Sequence, residues 1–315
     1  MKKENNKAIE VNTLTKRFDE VIAVNRITFS VNKGEMFGFL GPNGAGKTTT
    51  IRMLTGLLTP DSGDVFIEGF DIRKNPIKAK MKMGVIPEMG NIYADLTAKQ
   101  NIVLAGRFYG IGIGELKKRA DSLLEQFGLY DRKGALAKTF SKGMKQRVNI
   151  ASAIVHNPEL LFLDEPTSGL DVQSQRLIRK IIKEMNQKGT TIFLSTHNIE
   201  EANILCERVG VISKGKIAAI DTPERLKRTF EETQSVEVSF EGFIDDRLIR
   251  ESDLVKKTEK LGDKLKLYTD NPDKLIKFLT GIAHEKDAIF TSMQICGASL
   301  EDVFVKLTES KDYAN

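Results

Sequence analysis

The octapeptide Gly41-Pro42-Asn43-Gly44-Ala45-Gly46-Lys47-Thr48 sets three glycines, a lysine and a hydroxyl at the spacing GxxxxGK[ST]. Glycines so placed let backbone N–H groups turn inward around a β-phosphate. Lys47 then reaches the β- and γ-oxygens, and the Thr48 hydroxyl ligates Mg²⁺. The chemistry expected is the binding of a nucleoside triphosphate with its metal. A second constellation is Leu160-Leu161-Phe162-Leu163-Asp164-Glu165, an apolar run ending in two acids. Adjacent acids beside a triphosphate need different roles: Asp164 in the Mg²⁺ shell, and Glu165 polarising the attacking water as general base. An apolar strand ending in Asp is a weak signal alone, but it becomes specific when it follows such a loop.

The elements that must position these groups are legible in outline. Met36-Phe37-Gly38-Phe39-Leu40 reads as a buried strand feeding the loop, and the helix through Thr49, Ile51 and Leu54 adds its positive N-terminal end to the same anion. Alternation at Ile9 and Val11, then at Ile27, Phe29 and Val31, predicts an antiparallel layer, with Asp61-Ser62-Gly63 as a turn before the strand Val65-Phe66-Ile67. From about Glu88 to Asn157 the pattern is helical. Thr97 and Gln100 form a capping-box pair, and Leu116, Ala120, Leu123, Leu124 and Phe127 repeat at helical spacing. Apolar runs at 160–163, 191–194 and 209–212, separated by helices, give the βαβ rhythm of a parallel sheet. A helix led by Pro223 should end near Phe230. The polar stretch 231–234 is then the expected boundary before a compact α+β module with strands at 236–240, 265–268 and 289–293 and a helix over 273–282. The domains expected are 1–230, with a helical subdomain at about 88–157, and 235–315.

Composition agrees with two unequal domains: 315 residues, 40% hydrophobic, are more than one small domain needs. No apolar run approaches the roughly 18 residues that cross a bilayer, and the lysine-rich start lacks the apolar stretch of a signal peptide, so a cytosolic protein is expected. Cys206 and Cys296 have no metal-site spacing and read as buried thiols. A net charge of +5 suits an acidic nucleotide or an anionic membrane surface without indicating nucleic-acid binding.

Phe140-Ser141-Lys142-Gly143-Met144-Lys145-Gln146-Arg147 resembles the LSGGMKQR signature of ATP-binding-cassette (ABC) proteins. The phosphate loop, this octet, the Leu-Leu-Phe-Leu-Asp-Glu-Pro box, Ser168-Gly169-Leu170-Asp171 and His197 follow in that family's order. Together they span roughly residues 9 to 230. The resemblance implies an α/β P-loop NTPase: a mixed sheet with an antiparallel β-subdomain and a helical subdomain, here followed by the small α+β domain. It implies an ATPase in which Glu165 and His197 serve hydrolysis, His197 bridging to the γ-phosphate; alone, a histidine at a strand end is more often structural. Gly41, Pro42, Asn43, Gly44, Ala45, Gly46, Lys47, Thr48 and Thr49 would bind the nucleotide, and Thr48 and Asp164 the metal. Phe18 lies where the family stacks an aromatic on adenine, although an ordinary core phenylalanine is the competing reading. Ser141 is a good N-cap and Gly143 leaves the backbone open, so the signature helix can receive a phosphate. In the family that phosphate belongs to the opposing subunit, so a head-to-tail pair of copies completes two sites.

Departures from the pattern are Phe140 for Leu, Lys142 for Gly, and Glu88 where many members carry Gln. Glu88 either touches the metal shell or marks the hinge to the helical subdomain. The closing Ser299-Leu300-Glu301-Asp302-Val303-Phe304 resembles the tail of ATPase subunits of prokaryotic ABC-2-type exporters, and it also reads as an amphipathic packing helix. The partners implied are integral membrane permease subunits, docking near Ile92, Tyr93 and Leu96, which places the chain in the cytoplasm on the inner face of the membrane. The runner-up is a soluble cassette ATPase acting on ribosomes or nucleic acid. Translation members usually carry two cassettes, and repair members carry long insertions between loop and signature, so no nucleic-acid partner is expected. A non-hydrolysing regulatory module is disfavoured by the intact Glu165 and His197.

Overall fold

The computed structural model describes residues 6–229, 234–242 and 246–309, apart from Met89, Asn91 and Ala298. The expected helix end at Phe230 and most of the polar stretch 231–234 lie outside the described residues. The first alternating segments form an antiparallel ribbon: β1 (Lys7–Phe18) pairs with β2 (Val21–Asn32), with Val11 opposite Phe29. The apolar run after it is β3 (Met36–Leu40), buried along its length, and the loop that follows opens α1 (Lys47–Leu54). β4 (Ser62–Ile67) and the short β5 (Phe70–Asp71) complete a sheet in the order β2-β1-β4-β5. Ser62 and Gly63 belong to β4 and not to a turn. Gly63 has φ +91°, and a Cβ there would lie 2.6 Å from the Asn12 carbonyl oxygen, beside a slip in the β1–β4 register. The glycine therefore serves a bulge inside the sheet.

Next come α2 (Pro76–Met81) and β6 (Met83–Ile86), then the helical segment α3 (Ala98–Arg107), α4 (Ile113–Gln126) and α5 (Lys142–Ile154). α3 starts with the expected capping box. Thr97 Oγ1 accepts from the Gln100 N–H at 3.1 Å, and Gln100 Oε1 accepts from the Thr97 N–H at 2.8 Å. Leu116, Ala120 and Leu124 are the buried stripe of α4.

Strands and helices then alternate: β7 (Leu160–Asp164), α6 (Val172–Gln187), β8 (Thr191–Thr196), α7 (Ile199–Leu205) and β9 (Arg208–Ser213), after which β10 (Lys216–Asp221) turns back. The sheet order is β10-β9-β3-β8-β7-β6, parallel except for β10 on its edge. Strands buried on both faces must be apolar throughout, which is why β3 and β7 read as unbroken runs. Because β8 lies between β3 and β7, three carboxyl ends converge: the phosphate loop, the two acids and the histidine segment, at the edge where open α/β sheets bind ligands. The two sheets of this unit meet through aromatics. Phe29 of β2 stacks on Phe37 and Phe39 of β3 at 5.8 and 5.7 Å and on Phe193 of β8 at 6.1 Å. Each such pair adds about 0.5–1.5 kcal/mol beyond area burial, so the antiparallel layer is pinned to the strands that carry the site.

A second compact unit runs over Thr222–Glu309. Its boundary is at Asp221–Thr222 and not at 231–234, because α8 (Pro223–Thr229) packs within this unit against the final helix. It contains β11 (Gln234–Glu241), α9 (Asp246–Arg250), β12 (Lys257–Leu261), β13 (Lys264–Thr269), α10 (Pro272–Glu285), β14 (Ile289–Cys296) and α11 (Leu300–Glu309). The antiparallel order is β12-β13-β11-β14, and Val236, Val238, Leu265 and Leu267 pack with Leu275 and Leu279 of α10. In α11 Leu300, Val303 and Leu307 are buried, the stripe expected of the tail. Asp302 of that motif accepts the Tyr268 hydroxyl at 3.2 Å and caps the helix with Ser299, so the motif has a packing role in this chain.

Candidate active site

The phosphate loop is built from both sides. Gly46, φ +108°, is the N-cap of α1, and a Cβ there would lie 2.5 Å from the Ala23 carbonyl oxygen of β2. A Cβ on Gly41 would lie 2.6 Å from the Ile212 carbonyl oxygen of β9. Neither position admits a side chain. The Gly215 N–H, in the turn after β9, donates to the Ala45 carbonyl at 3.0 Å and fastens the back of the loop. Lys47 is 7% exposed, and its Nζ donates to the carbonyls of Gly41 at 2.6 Å and Pro42 at 3.2 Å. The ammonium is thereby held at the mouth of the loop instead of roaming on its four-carbon stem.

Glu165 leaves the end of β7 at φ +50°, a left-handed conformation that costs a non-glycine residue about 1–3 kcal/mol and gathers at functional sites. Its N–H donates to the Ser195 carbonyl of β8 at 3.0 Å. Its carboxylate spans two cationic or ionisable partners: Oε1 is 3.7 Å from Lys47 Nζ, and Oε2 is 2.8 Å from His197 Nδ1. Asp164, 3% exposed, accepts the Ser195 hydroxyl through Oδ1. A cavity of about 410 Å³ gathers Pro42, Asn43, Gly44, Gly46, Lys47, Thr48, Thr49, Glu88, Glu165 and His197. Ser168, from the Ser168–Asp171 motif, also lines it, as does Ala23, to which no motif pointed. Gly41, Ala45 and Asp164 stand outside its lining, as do Phe18, Ser141 and Gly143.

Among the described residues no three His, Cys, Asp or Glu side chains cluster to hold a metal ion. A hydroxyl on the cavity wall and one buried carboxylate nevertheless suit Mg²⁺, which takes few protein oxygens and completes its shell from phosphates and water.

The signature octet behaves differently from the rest. Ser141 is the N-cap of α5, its Oγ accepting the Met144 N–H at 3.2 Å. The face at Gly143 is not open, contrary to expectation: a Cβ there would lie 2.3 Å from Ser174 Oγ. Ser174 in turn donates its N–H and its hydroxyl to Asp171, each at 2.8 Å, and these bonds hold the Asp171 carboxyl below the usual range. Lys142 donates to the Ser168 carbonyl at 2.9 Å, so this departure from the family pattern is engaged within its own chain. Phe18 is 46% exposed at the end of β1, which removes the core reading. In the loop after Glu88, Tyr93 is 56% exposed, whereas Ile92 and Leu96, expected to be exposed, are half-buried. Cys206 is buried, and burial raises its thiol far above the ordinary value.

The chain is similar to known proteins. The family profile described as ABC transporter matches residues 24–168. The linearmycin resistance ATP-binding protein of Bacillus subtilis is 37% identical over 304 residues, covering 95% of this chain and 98% of that protein. A Nod factor export ATP-binding protein of Ralstonia nicotianae is 35% identical over 300 residues, covering 95% and 93%. Among solved structures, the dimeric post-hydrolysis state of an ATP-binding cassette bound to ADP and Pi superposes with a TM-score of 0.63 at 26% identity, over 68% of this chain and 98% of that one.

Proposed function

This chain belongs to the ATP-binding subunits of ABC transporters, and from that premise we propose that two copies close head to tail on two ATP–Mg²⁺ and drive export through separate membrane subunits. It is an ATPase. Relatives named for Nod factor export and linearmycin resistance support the outward direction. The unit up to Asp221 is the motor and the unit Thr222–Glu309 an accessory domain. Attachment through the membrane subunits is peripheral, on the cytoplasmic face; no described helix is long and apolar enough to cross a membrane.

The observation that carries this reading is the Glu165 carboxylate held between Lys47 and His197 on the wall of the phosphate-loop cavity. Lys47 and the loop N–H groups neutralise the β- and γ-oxygens, and Glu165 takes the proton of the attacking water as its oxygen bonds to the γ-phosphorus and the β–γ bridge breaks. His197 steadies the γ-phosphate. Thr48 and Asp164 would hold Mg²⁺, which when bound would neutralise charge on the triphosphate. Phe18, exposed at the end of the ribbon that carries Ala23, stacks on adenine. Glu88 lines the cavity at the start of the path into the helical segment. Ser141, exposed at the start of α5, meets the nucleotide of the opposing copy, in keeping with its absence from this chain's own cavity lining.

Pairing is tested with Ser141→Arg, whose guanidinium would occupy the place of the opposing phosphate. The wild-type chain is expected to be monomeric without nucleotide and dimeric with ATP, whereas the variant stays monomeric and loses turnover. Mixed with a Lys47 variant it forms dimers with at most one intact site. ATP-induced dimerisation and hydrolysis unaffected by Ser141→Arg, read by size-exclusion chromatography and phosphate release, would sink the head-to-tail arrangement.

Docking is tested at Tyr93, an exposed aromatic in a loop, where apolar surface usually meets a partner. Tyr93→Glu should leave soluble ATP turnover nearly intact and abolish membrane co-sedimentation from cells. A lowered melting temperature with membrane binding retained would show that the ring packs on its own chain instead.

A further inference from the structure

We propose that Glu201 is a positioning residue for hydrolysis, fixing where Glu165 and His197 stand relative to one another through Thr167. The inference rests on Glu165 being the general base. Glu201 is 0% exposed on α7 and does not line the cavity, so it touches no substrate. Its Oε1 accepts the Thr167 hydroxyl at 2.8 Å and lies 3.2 Å from Arg179 Nε of α6. Its Oε2 is buried with no hydrogen-bond partner among the described residues. One oxygen therefore carries the whole of this carboxylate's geometry.

Both ends of that geometry lead to the chemistry. Thr167, 5% exposed, stands two residues after Glu165, in the turn where the Ser168 N–H donates to the Glu165 carbonyl at 3.2 Å. At the other end, Asn198 follows His197 directly and caps α7, its Oδ1 accepting the Glu201 N–H at 3.0 Å. Glu165 and His197 are thus joined twice, by their own contact at 2.8 Å and by a strut of the buried Thr167 and Glu201 with the half-buried Asn198 behind it. A buried ion pair gives little net stability compared with apolar packing of the same volume, whereas it does fix direction. The strained φ of +50° at Glu165 is the kind of conformation that persists only when its surroundings over-determine it.

Because truncating Glu201 would leave Arg179 without its carboxylate, the test begins with Thr167→Val, which removes one hydroxyl at constant shape. The expected result is a kcat about 10-fold lower, with KM for ATP within about twofold of wild type. Thr167→Ser should restore the rate. Glu201→Gln should lower kcat in the same way, and the double variant Thr167→Val/Glu201→Gln should be no slower than the worse single change. Wild-type kcat in Thr167→Val overturns the proposal, as does a loss that Ser fails to rescue or that follows the melting temperature alone. Glu165→Gln run alongside separates the two layers. If it hydrolyses normally, the general-base assignment falls and this inference with it. If it is slow while Thr167→Val is not, only the positioning role is lost.

Discussion

Replacing Glu165 by Gln is expected to leave ATP binding in place and to slow hydrolysis by about 10²–10⁴, the range for loss of a general base. Glutamine keeps the shape that lets the side chain sit between Lys47 at 3.7 Å and His197 at 2.8 Å, but it has no lone pair basic enough to take a proton from water. Binding survives because the anion is held by the loop amides and Lys47. Products then form too slowly to open the pair, so an ATP-loaded dimer should accumulate and elute at twice the monomer mass. Single-turnover phosphate release measures the slowing directly. Normal hydrolysis would move the base elsewhere, with His197 the next candidate on the same wall.

Lys47→Ala is expected to remove most nucleotide binding. The ammonium is nearly buried and held by two carbonyls at the loop, and among the described residues it is the only lysine or arginine lining the cavity. A charge-assisted hydrogen bond contributes about 1.5–3 kcal/mol, so affinity for ATP should fall by roughly 10- to 150-fold. The change also strips Glu165 of a cationic neighbour and leaves its carboxylate against vacant phosphate donors. Titration with a fluorescent ATP analogue reads the loss, and a melting curve checks that the fold persists. Unchanged affinity would refute the assignment of Gly41 to Thr48 as the phosphate cradle.

Much of this site was legible because its signals are local. Eight consecutive residues define the loop, an unbroken apolar run ending in acids defines β7, and Thr97 with Gln100 defines the start of α3, since each depends on neighbours within one turn or one strand. What was not legible depends on residues far apart in the chain. Periodicity identifies β3, β7 and β8 as buried strands but not that β8 lies between the other two, which is what brings His197 to Glu165. Gly143 reads as open backbone until α6 places Ser174 against it, and Glu201 has no motif because its role comes from Thr167 and Arg179. β12, Lys-Thr-Glu-Lys-Leu, carries no apolar alternation because it is an edge strand with little to bury. The boundary at Asp221–Thr222 was hidden for a related reason: nothing in the composition of α8 says which unit it will pack with.

The carbonyl of Ala23 has a consequence for how such loops travel between proteins. It comes within 2.5 Å of where a Cβ on Gly46 would stand, and it also approaches Gly215, so a strand with no chemical signature forms the outer mould of the loop. The octapeptide is therefore not a portable cassette. Grafted onto another strand and helix with its eight residues intact, it would keep its glycines but lose the wall against which Gly46 is shaped and the Gly215 N–H that anchors Ala45. In this chain the structural unit is the loop together with the β2 edge and the β9–β10 turn, so a bulkier backbone path at Ala23 or Gly215 would disturb phosphate binding without touching any of the eight residues.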